Sequence, residues 1–360
     1  MTLLITGGTG LVGQHLVHHL LNEPSYANQP EKIRLLVRNK ERNPHQQQFL
    51  QECNEKGIDI FLGDLRSDND VFAFTEVFDP QNSIIIHAGA VFNFWQPYEL
   101  LYDVNVCGTK RVLQAYHQNR IKKLIYISSV AVYGHMTGGN GQGVTEACEI
   151  DFNLNKKNYE LTKSLGEALV QEFQNNHPEK LITILRPTGI IGGSGSTLDV
   201  FARMFIGRFA PLPRGGKDRI SLVDVEDVVS AIVYFSDFTR GNGEIYNLVS
   251  FTPTLREVVQ ELSLALRKKD LSIISIPLFV FKPLYYLARI VRSIKKPKEH
   301  SILLPILFNK LGQDVCIDSE KSKSHGFQSN GTSLPESMAR FGTFLEKNPW
   351  YAEQKFGFAL

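Results

Sequence analysis

Short apolar runs and longer stretches with helical spacing alternate from the first residue onward. Residues 1–6 read as a buried strand, cut off at once by glycines. Leu16, Val17, Leu20 and Leu21 then give one face of a helix its apolar stripe. Residues 32–38, 58–62, 83–87, 123–128 and 181–186 read as further strands. Residues 44–56, 71–78, 98–118 and 154–177 read as the helices between them. This alternation predicts an α/β fold: a doubly wound parallel sheet with helices on both faces and right-handed crossovers. Ligands of such sheets bind beyond the carboxyl ends of the strands.

Past residue 187 the pattern loosens. Residues 192–196 form a Gly/Ser loop, 199–208 and 225–235 read as helices, 220–223 and 244–248 as short strands, and 255–267 as a helix. Apolar pieces then alternate with prolines. The longest apolar stretch, 273–294, is broken by Pro277, Lys282, Pro283, Arg289 and Arg292, so it is no membrane span. It reads as an amphipathic helix over a pocket, with peripheral membrane contact through Lys295, Lys296 and Lys298 as the other reading.

The 360 residues are 42% hydrophobic and 21% charged, with a net charge of +2, which leaves no basic face for a nucleic-acid partner. Cys53, Cys107, Cys148 and Cys316 lie far apart, as expected of reduced thiols in a cytoplasmic protein. The N-terminus has neither the basic flank nor the long apolar core of a signal peptide. His15, His18 and His19 share the first helix without other metal-ligand candidates, so no metal site is expected.

Gly7, Gly10 and Gly13 sit three apart between the first strand and the first helix. Gly7 permits a tight turn, Gly10 a close approach to a pyrophosphate, and Gly13 the packing of helix on strand. The diphosphate would rest on the helix N-terminus, with Thr9, Leu11 and Val12 in the same turn. Residues 1–187 are therefore expected to form a Rossmann domain to which 220–249 return. Residues 188–219 and 250–360 are expected to form a smaller C-terminal substrate lobe. Arg38, at the end of the second strand, suits an adenosine 2′-phosphate, which favours NADP(H) while leaving NAD(H) possible. Asp64, beside Leu65, is placed to accept from an adenine amino group, although Asp in a turn also stabilises the turn itself.

Tyr159 and Lys163 stand at i and i+4, on one helical face. An ammonium beside a phenol lowers the phenol's pKa and lets it exchange a proton near neutral pH. Ser129 follows the fifth strand, where its hydroxyl can orient a reacting oxygen. Phe92, Phe94, Trp95 and Tyr98 are either core or the apolar wall of a pocket.

The chain resembles an extended short-chain dehydrogenase/reductase over nearly its full length. The resemblance lies in Thr6 to Gly13, Gly63 to Leu65, His87 to Ala90, Asn105 to Thr109, Ser128 to Gly134, Tyr159 to Lys163 and Arg186 to Gly192. It implies that Ser129, Tyr159 and Lys163 are catalytic. It also implies that Ala88, Gly89 and Ala90 line the cofactor, and that Pro187, Thr188, Gly189 and Ile190 offer backbone to the nicotinamide amide. A homodimer through the helices at 98–118 and 154–177 follows from the same resemblance. Residues 90–109 resemble the 3β-hydroxysteroid dehydrogenase and dihydroflavonol reductase branch, and also the thioester reductases. The expected activity is NADP(H)-dependent interconversion of a carbonyl and an alcohol on a largely apolar small molecule. The alternatives are a nucleotide-sugar epimerase or dehydratase, with Arg203, Arg208, Arg214, Lys217 and Arg219 as diphosphate ligands, an acyl-thioester reductase, and a non-catalytic NADP(H)-sensing module.

Overall fold

The computed structural model describes residues 1–38, 43–92, 96–134, 143–153, 159–193, 197–202, 209–266, 271–281, 283 and 312–356. Seven strands form one sheet: β1 (Thr2–Thr6), β2 (Ile33–Val37), β3 (Asp59–Leu62), β4 (Ser83–His87), β5 (Lys123–Ile127), β6 (Leu181–Pro187) and, past three strands that lie outside this sheet, β10 (Glu244–Leu248). Their order is β3-β2-β1-β4-β5-β6-β10, and every neighbouring pair is parallel. Ile5 lies beside Leu35 on one side and Ile86 on the other, all fully buried. Two-sided burial explains why these strands read as unbroken apolar runs. The strand order reverses between β1 and β4, which opens a crevice at their carboxyl ends.

Helices α1 (Leu11–Asn22), α2 (Pro44–Glu55), α3 (Asp68–Thr75), α4 (Tyr98–Tyr102), α5 (Gly108–Gln118) and α6 (Tyr159–Asn176) connect the strands. The helix expected at 71–78 starts earlier and ends at Thr75, because the Ser67 hydroxyl accepts from the Asp70 N–H and caps it. The helix expected at 154–177 is seen from Tyr159, and 154–158 fall outside the described residues. The expected 98–118 helix is not uniform: α4 passes through a π turn, Asp103–Cys107, before α5 begins.

A second core gathers Ile191, Leu198, Phe201, Leu222, Val258, Leu262 and Phe341. Its elements are β7 (Gly189–Ile191), α7 (Leu198–Ala202), β8 (Phe209–Pro213), β9 (Leu222–Asp224), α9 (Leu255–Ala265), β11 (Ser272–Ile276) and α10 (Leu334–Lys347). Between them α8 (Val225–Phe235) packs back on the large sheet. The segment read as a helix from 273 begins instead as β11, paired in parallel with β8. A run of five apolar and serine residues fits a strand as well as a helix turn, and pairing with β8 decides it. Of the helix expected at 199–208, the structure describes α7, and 203–208 lie outside the described residues. Capping boxes at Thr254/Glu257 and Ser333/Glu336 start α9 and α10. Arg340 reaches Asp224 at 3.0 Å and Glu226 at 3.3 Å, and Glu226 meets His15 of α1 at 2.6 Å. This chain of polar contacts ties the late helix to the first one.

Candidate active site

The glycine turn has the shape its spacing predicts. Gly7 has φ +75°, and a Cβ there would lie 2.8 Å from the Ala88 carbonyl; a Cβ at Gly13 would lie 2.6 Å from Gly8 Cα. Only glycine fits such approaches. The N-cap of α1 is Gly10, so no side chain caps its first turn, and the leading N–H groups face the crevice rim. Thr9 is held through its carbonyl, which accepts from Gln14 at 2.9 Å and from Gln46 of α2 at 3.1 Å. Leu11 and Val12 are half-buried at the start of α1. An uncapped, glycine-walled helix start of this kind fits a dinucleotide diphosphate.

Arg38 follows β2 and is exposed. The Asp64 carboxylate accepts from Arg66 Nε at 3.1 Å and Arg66 Nη2 at 2.9 Å. Burial opposes its ionisation, but Arg66 and, more weakly, Arg38 hold its pKa below the usual carboxylate range. Leu65 is buried against the other side of that turn.

Behind β4 a neutral buried web fixes the crevice floor. The Thr6 hydroxyl accepts from the Gly89 N–H at 3.0 Å and donates to His87 Nδ1 at 2.7 Å. Thr109 donates to the Asn105 carbonyl at 2.7 Å, so His87 Nε2 is the donor to Thr109 at 3.1 Å. This assigns the His87 tautomer. Burial, with Lys163 nearby, drives the His87 pKa down to about 3, so the ring stays neutral. Asn105, in the π turn, accepts from the Val91 N–H at 2.8 Å and donates to Thr162 at 3.0 Å; Thr162 donates to the Tyr159 carbonyl at 2.8 Å. The segment carrying Ala88, Gly89 and Ala90 is thereby tied to the helix that carries Tyr159.

Tyr159 and Lys163 are buried on α6, and Ser129 is half-buried after β5. Burial is the largest influence on Tyr159 and pushes its pKa up, with the Ser129 side chain beside it pulling the other way. This reverses the expectation from spacing that the phenol's pKa is lowered: sequence spacing shows neighbours on a face, not their depth. Lys163 Nζ donates to the Ile127 carbonyl at 2.8 Å and to the Tyr126 hydroxyl at 3.3 Å. Burial brings the Lys163 pKa down to about 8, against an opposing pull from Glu167. Phe92 meets the Tyr159 ring edge-on at 5.1 Å, while Phe94 and Trp95 lie outside the described residues.

A second, charged web lies under Ser129. Glu167, fully buried, accepts from Ser128 and pairs with Arg186, whose Nη1 donates to the Tyr133 hydroxyl at 2.7 Å. Tyr133 in turn donates to Asn247 at 2.8 Å. The signal for Glu167 was available: it stands at i+4 from Lys163, so that an acid and an ammonium share one helical face. Pro187 ends β6, Thr188 donates to the Leu248 carbonyl at 3.2 Å, and Gly189 and Ile190 enter β7. Among the described residues no group of His, Cys, Asp and Glu could hold a metal ion.

The family described as the NAD dependent epimerase/dehydratase family matches residues 3–248. The chain is 26% identical over 367 residues to the 3beta-hydroxysteroid-dehydrogenase/decarboxylase isoform 1 of Arabidopsis thaliana, covering 94% of this chain and 78% of the relative. It is 28% identical over 271 residues to the N-acetyl-alpha-D-glucosaminyl-diphospho-ditrans,octacis-undecaprenol 4-epimerase of Escherichia coli O157:H7, covering 74% of this chain and 72% of the relative. The fold matches dTDP-glucose 4,6-dehydratase of Bacillus anthracis, solved with NAD, at a TM-score of 0.70 and 19% identity over 99% of both chains. With the family's signature spanning the crevice and the sheet that forms it, the chain belongs to the NAD-dependent epimerase/dehydratase family, the extended short-chain dehydrogenase/reductases, and is an NAD(P)-dependent enzyme.

Proposed function

We propose that the protein interconverts a carbonyl and an alcohol on a largely apolar small molecule, with NADP(H) as the preferred coenzyme. The observation that carries this reading is the Ser129 side chain beside the Tyr159 phenol, one helical turn from the Lys163 ammonium, at the carboxyl ends of the central strands. The nicotinamide supplies the hydride chemistry when bound. Ser129 holds the reacting oxygen of the substrate, and the Tyr159 hydroxyl passes it the proton in reduction or takes it in oxidation. Two of the three N–H groups of Lys163 are taken by Ile127 and Tyr126, which leaves one for a ribose hydroxyl. Gly10 to Gly13 receive the diphosphate, Arg38 the 2′-phosphate, and Ala88 to Ala90 with Pro187 to Ile190 the rest of the coenzyme.

Phe92 against Tyr159 gives the reacting centre an apolar wall. Of the cations that a sugar nucleotide could use, Arg214 is already engaged, donating to Asp218 at 2.7 Å and to the Gly312 carbonyl at 2.9 Å. Both observations favour an apolar substrate over a nucleotide sugar. The deciding experiment follows NADPH oxidation with a panel of apolar ketones, aldehydes and acyl thioesters, for the wild type and Tyr159→Phe. Turnover of a ketone or aldehyde by the wild type, abolished in the variant, supports the proposal. Unreduced turnover in the variant overturns the role of Tyr159, and tight NADPH binding without oxidation of any carbonyl identifies a sensing module instead.

A further inference from the structure

The two protein groups that hold the Lys163 ammonium are of different kinds. One is the Ile127 carbonyl, at 2.8 Å, which the backbone offers whatever the side chain. The other is the Tyr126 hydroxyl, at 3.3 Å, which depends on the residue. Tyr126 belongs to β5 and is fully buried. Lys163 Nζ lies 4.7 Å from the centre of its ring, so the nitrogen sits nearer the oxygen than the ring. The ring also meets that of His87, 5.6 Å between centres. Room for the hydroxyl comes from α6 itself. A Cβ on Gly166 would lie 2.9 Å from the Tyr126 hydroxyl oxygen and 2.7 Å from the Asn105 carbonyl oxygen, closer than a side chain can come. The bare backbone of Gly166 thus forms a seat for this hydroxyl, with Thr109 Oγ1 on the same side.

An ammonium carries three N–H groups and a neutral amine two. With Ile127 and Tyr126 taking two, the third exists only while Lys163 is charged, and the other two fix its direction. Burial opposes that charge, and Glu167 favours it from one turn further along. An acceptor placed on the ammonium favours it as well. Burial also pushes the Tyr126 pKa up, with the Thr109 side chain pulling the other way, so Tyr126 stays a neutral phenol whose oxygen can accept. The other titratable groups facing Lys163 are Tyr159 and Glu167 on its own helix and His87 on β4. Burial raises Tyr159, His87 stays neutral, and Glu167 is paired with Arg186. The π turn and α5 bring the uncharged Asn105 and Thr109 to this side. Of these groups, Lys163 is the one whose proton is exchanged just above neutrality.

We infer that Tyr126 is a positioning residue of the active site: seated by Gly166, its hydroxyl aims Lys163 so that the remaining N–H meets the coenzyme ribose. This role rests on the Lys163–ribose contact proposed above and holds for whatever carbonyl substrate the site accepts. It adds two residues, one on β5 and one on α6, that act on the coenzyme only through Lys163.

The test is fluorescence titration of the full chain with NADPH at pH values above neutrality, where the 2′-phosphate, with a second pKa of about 6, keeps a constant charge. Wild-type affinity is expected to fall toward alkaline pH, as the third N–H of Lys163 is lost. Tyr126→Phe keeps the ring and removes one oxygen, so the fold should persist. It should weaken NADPH binding by about tenfold near neutrality and move the alkaline fall to lower pH by about one unit, as the loss of a hydrogen bond to a charged group predicts. Gly166→Ala, which presses on the same hydroxyl, should move the fall in the same direction. Lys163→Met should bind weakly at every pH, without the alkaline fall. If Lys163→Met binds NADPH as the wild type does, the ribose contact is wrong and the role of Tyr126 goes with it. If Lys163→Met weakens binding while Tyr126→Phe reproduces the wild-type curve, the ribose contact stands and Tyr126 alone is overturned. A Tyr126→Phe curve that is weaker by the same factor at every pH, with its midpoint unmoved, assigns the residue to packing and overturns the inference as well.

Discussion

The crevice has two halves built on opposite terms. At the ends of β1, β2 and β3 the working groups are backbone N–H and exposed charge: the uncapped start of α1, Arg38, and the Asp64–Arg66 pair. At the ends of β4, β5 and β6 they are buried side chains bonded to one another: His87, Asn105 and Thr109 in one web, which Thr6 joins from the end of β1, and Ser128, Glu167 and Arg186 in the other. The first half can bind and release a charged molecule without changing its own packing. The second half places the reacting groups by the same bonds that hold the protein together. Loss of a residue should therefore show as altered affinity on one side, and as altered rate or stability on the other.

The sharpest test of that division is Tyr159→Phe. Removing the proton-transfer group should cost about 10²–10⁴ in kcat with little change in the Kd for NADPH, measured by steady-state kinetics and fluorescence titration. A variant that loses coenzyme affinity and keeps its rate would break the comparison. Next is Glu167→Ala, which strands the buried Arg186 charge. It should lower the free energy of unfolding by about 3–5 kcal/mol in urea titrations, because a buried charge without its partner is strongly penalised. Thr6→Val, in the neutral web, should cost less, about 1–3 kcal/mol, since only hydrogen bonds are lost. Equal losses from these two changes would show that charge in the second web is immaterial.

On the exposed half, Arg38→Ala should raise the Kd for NADPH by about tenfold or more and leave NADH binding nearly unchanged, as a lost charge-assisted bond predicts. The smallest expected effect is on pH. The Lys163 pKa in the folded chain is brought down to about 8, below that of an unfolded lysine. Between those two values the unfolded state binds more protons, so Lys163 adds stability as pH rises through that window, and its buried charge costs stability below it. Lys163→Met should flatten this rise in urea midpoints measured across the window. If the slope persists in the variant, another group is its source.

Much of this was readable from residue order. The parallel sheet followed from two-sided apolar strands, and residues 225–235 and 244–248 appear in the structure with the bounds their patterning gave. Other features leave no mark that spacing can reveal. Ser272–Ile276 is short enough to suit either a strand or a helix, and only the adjacent β8 settles it. The phenol of Tyr159 was expected to ionise readily because Lys163 is near in sequence, yet its depth dominates. The Gln46 bond that steadies the glycine turn joins residues 37 positions apart, beyond any local pattern. Glu167 was visible as an acid one turn beyond Lys163, and its partner Arg186 as a charge closing an apolar strand, but nothing in the order of residues pairs them.

The single wide turn at Asp103–Cys107 has an evolutionary consequence. Such a turn holds one residue more than regular winding needs, so an in-frame loss of one codon there would leave an unbroken helix and a soluble product. Everything downstream would nonetheless swing by about 100° relative to what precedes it. Thr109 would then leave His87, or Asn105 would leave Val91, and the tether between the crevice floor and the helix that carries Tyr159 would part. Lineages that keep this arrangement of the site should therefore keep the length of this segment fixed.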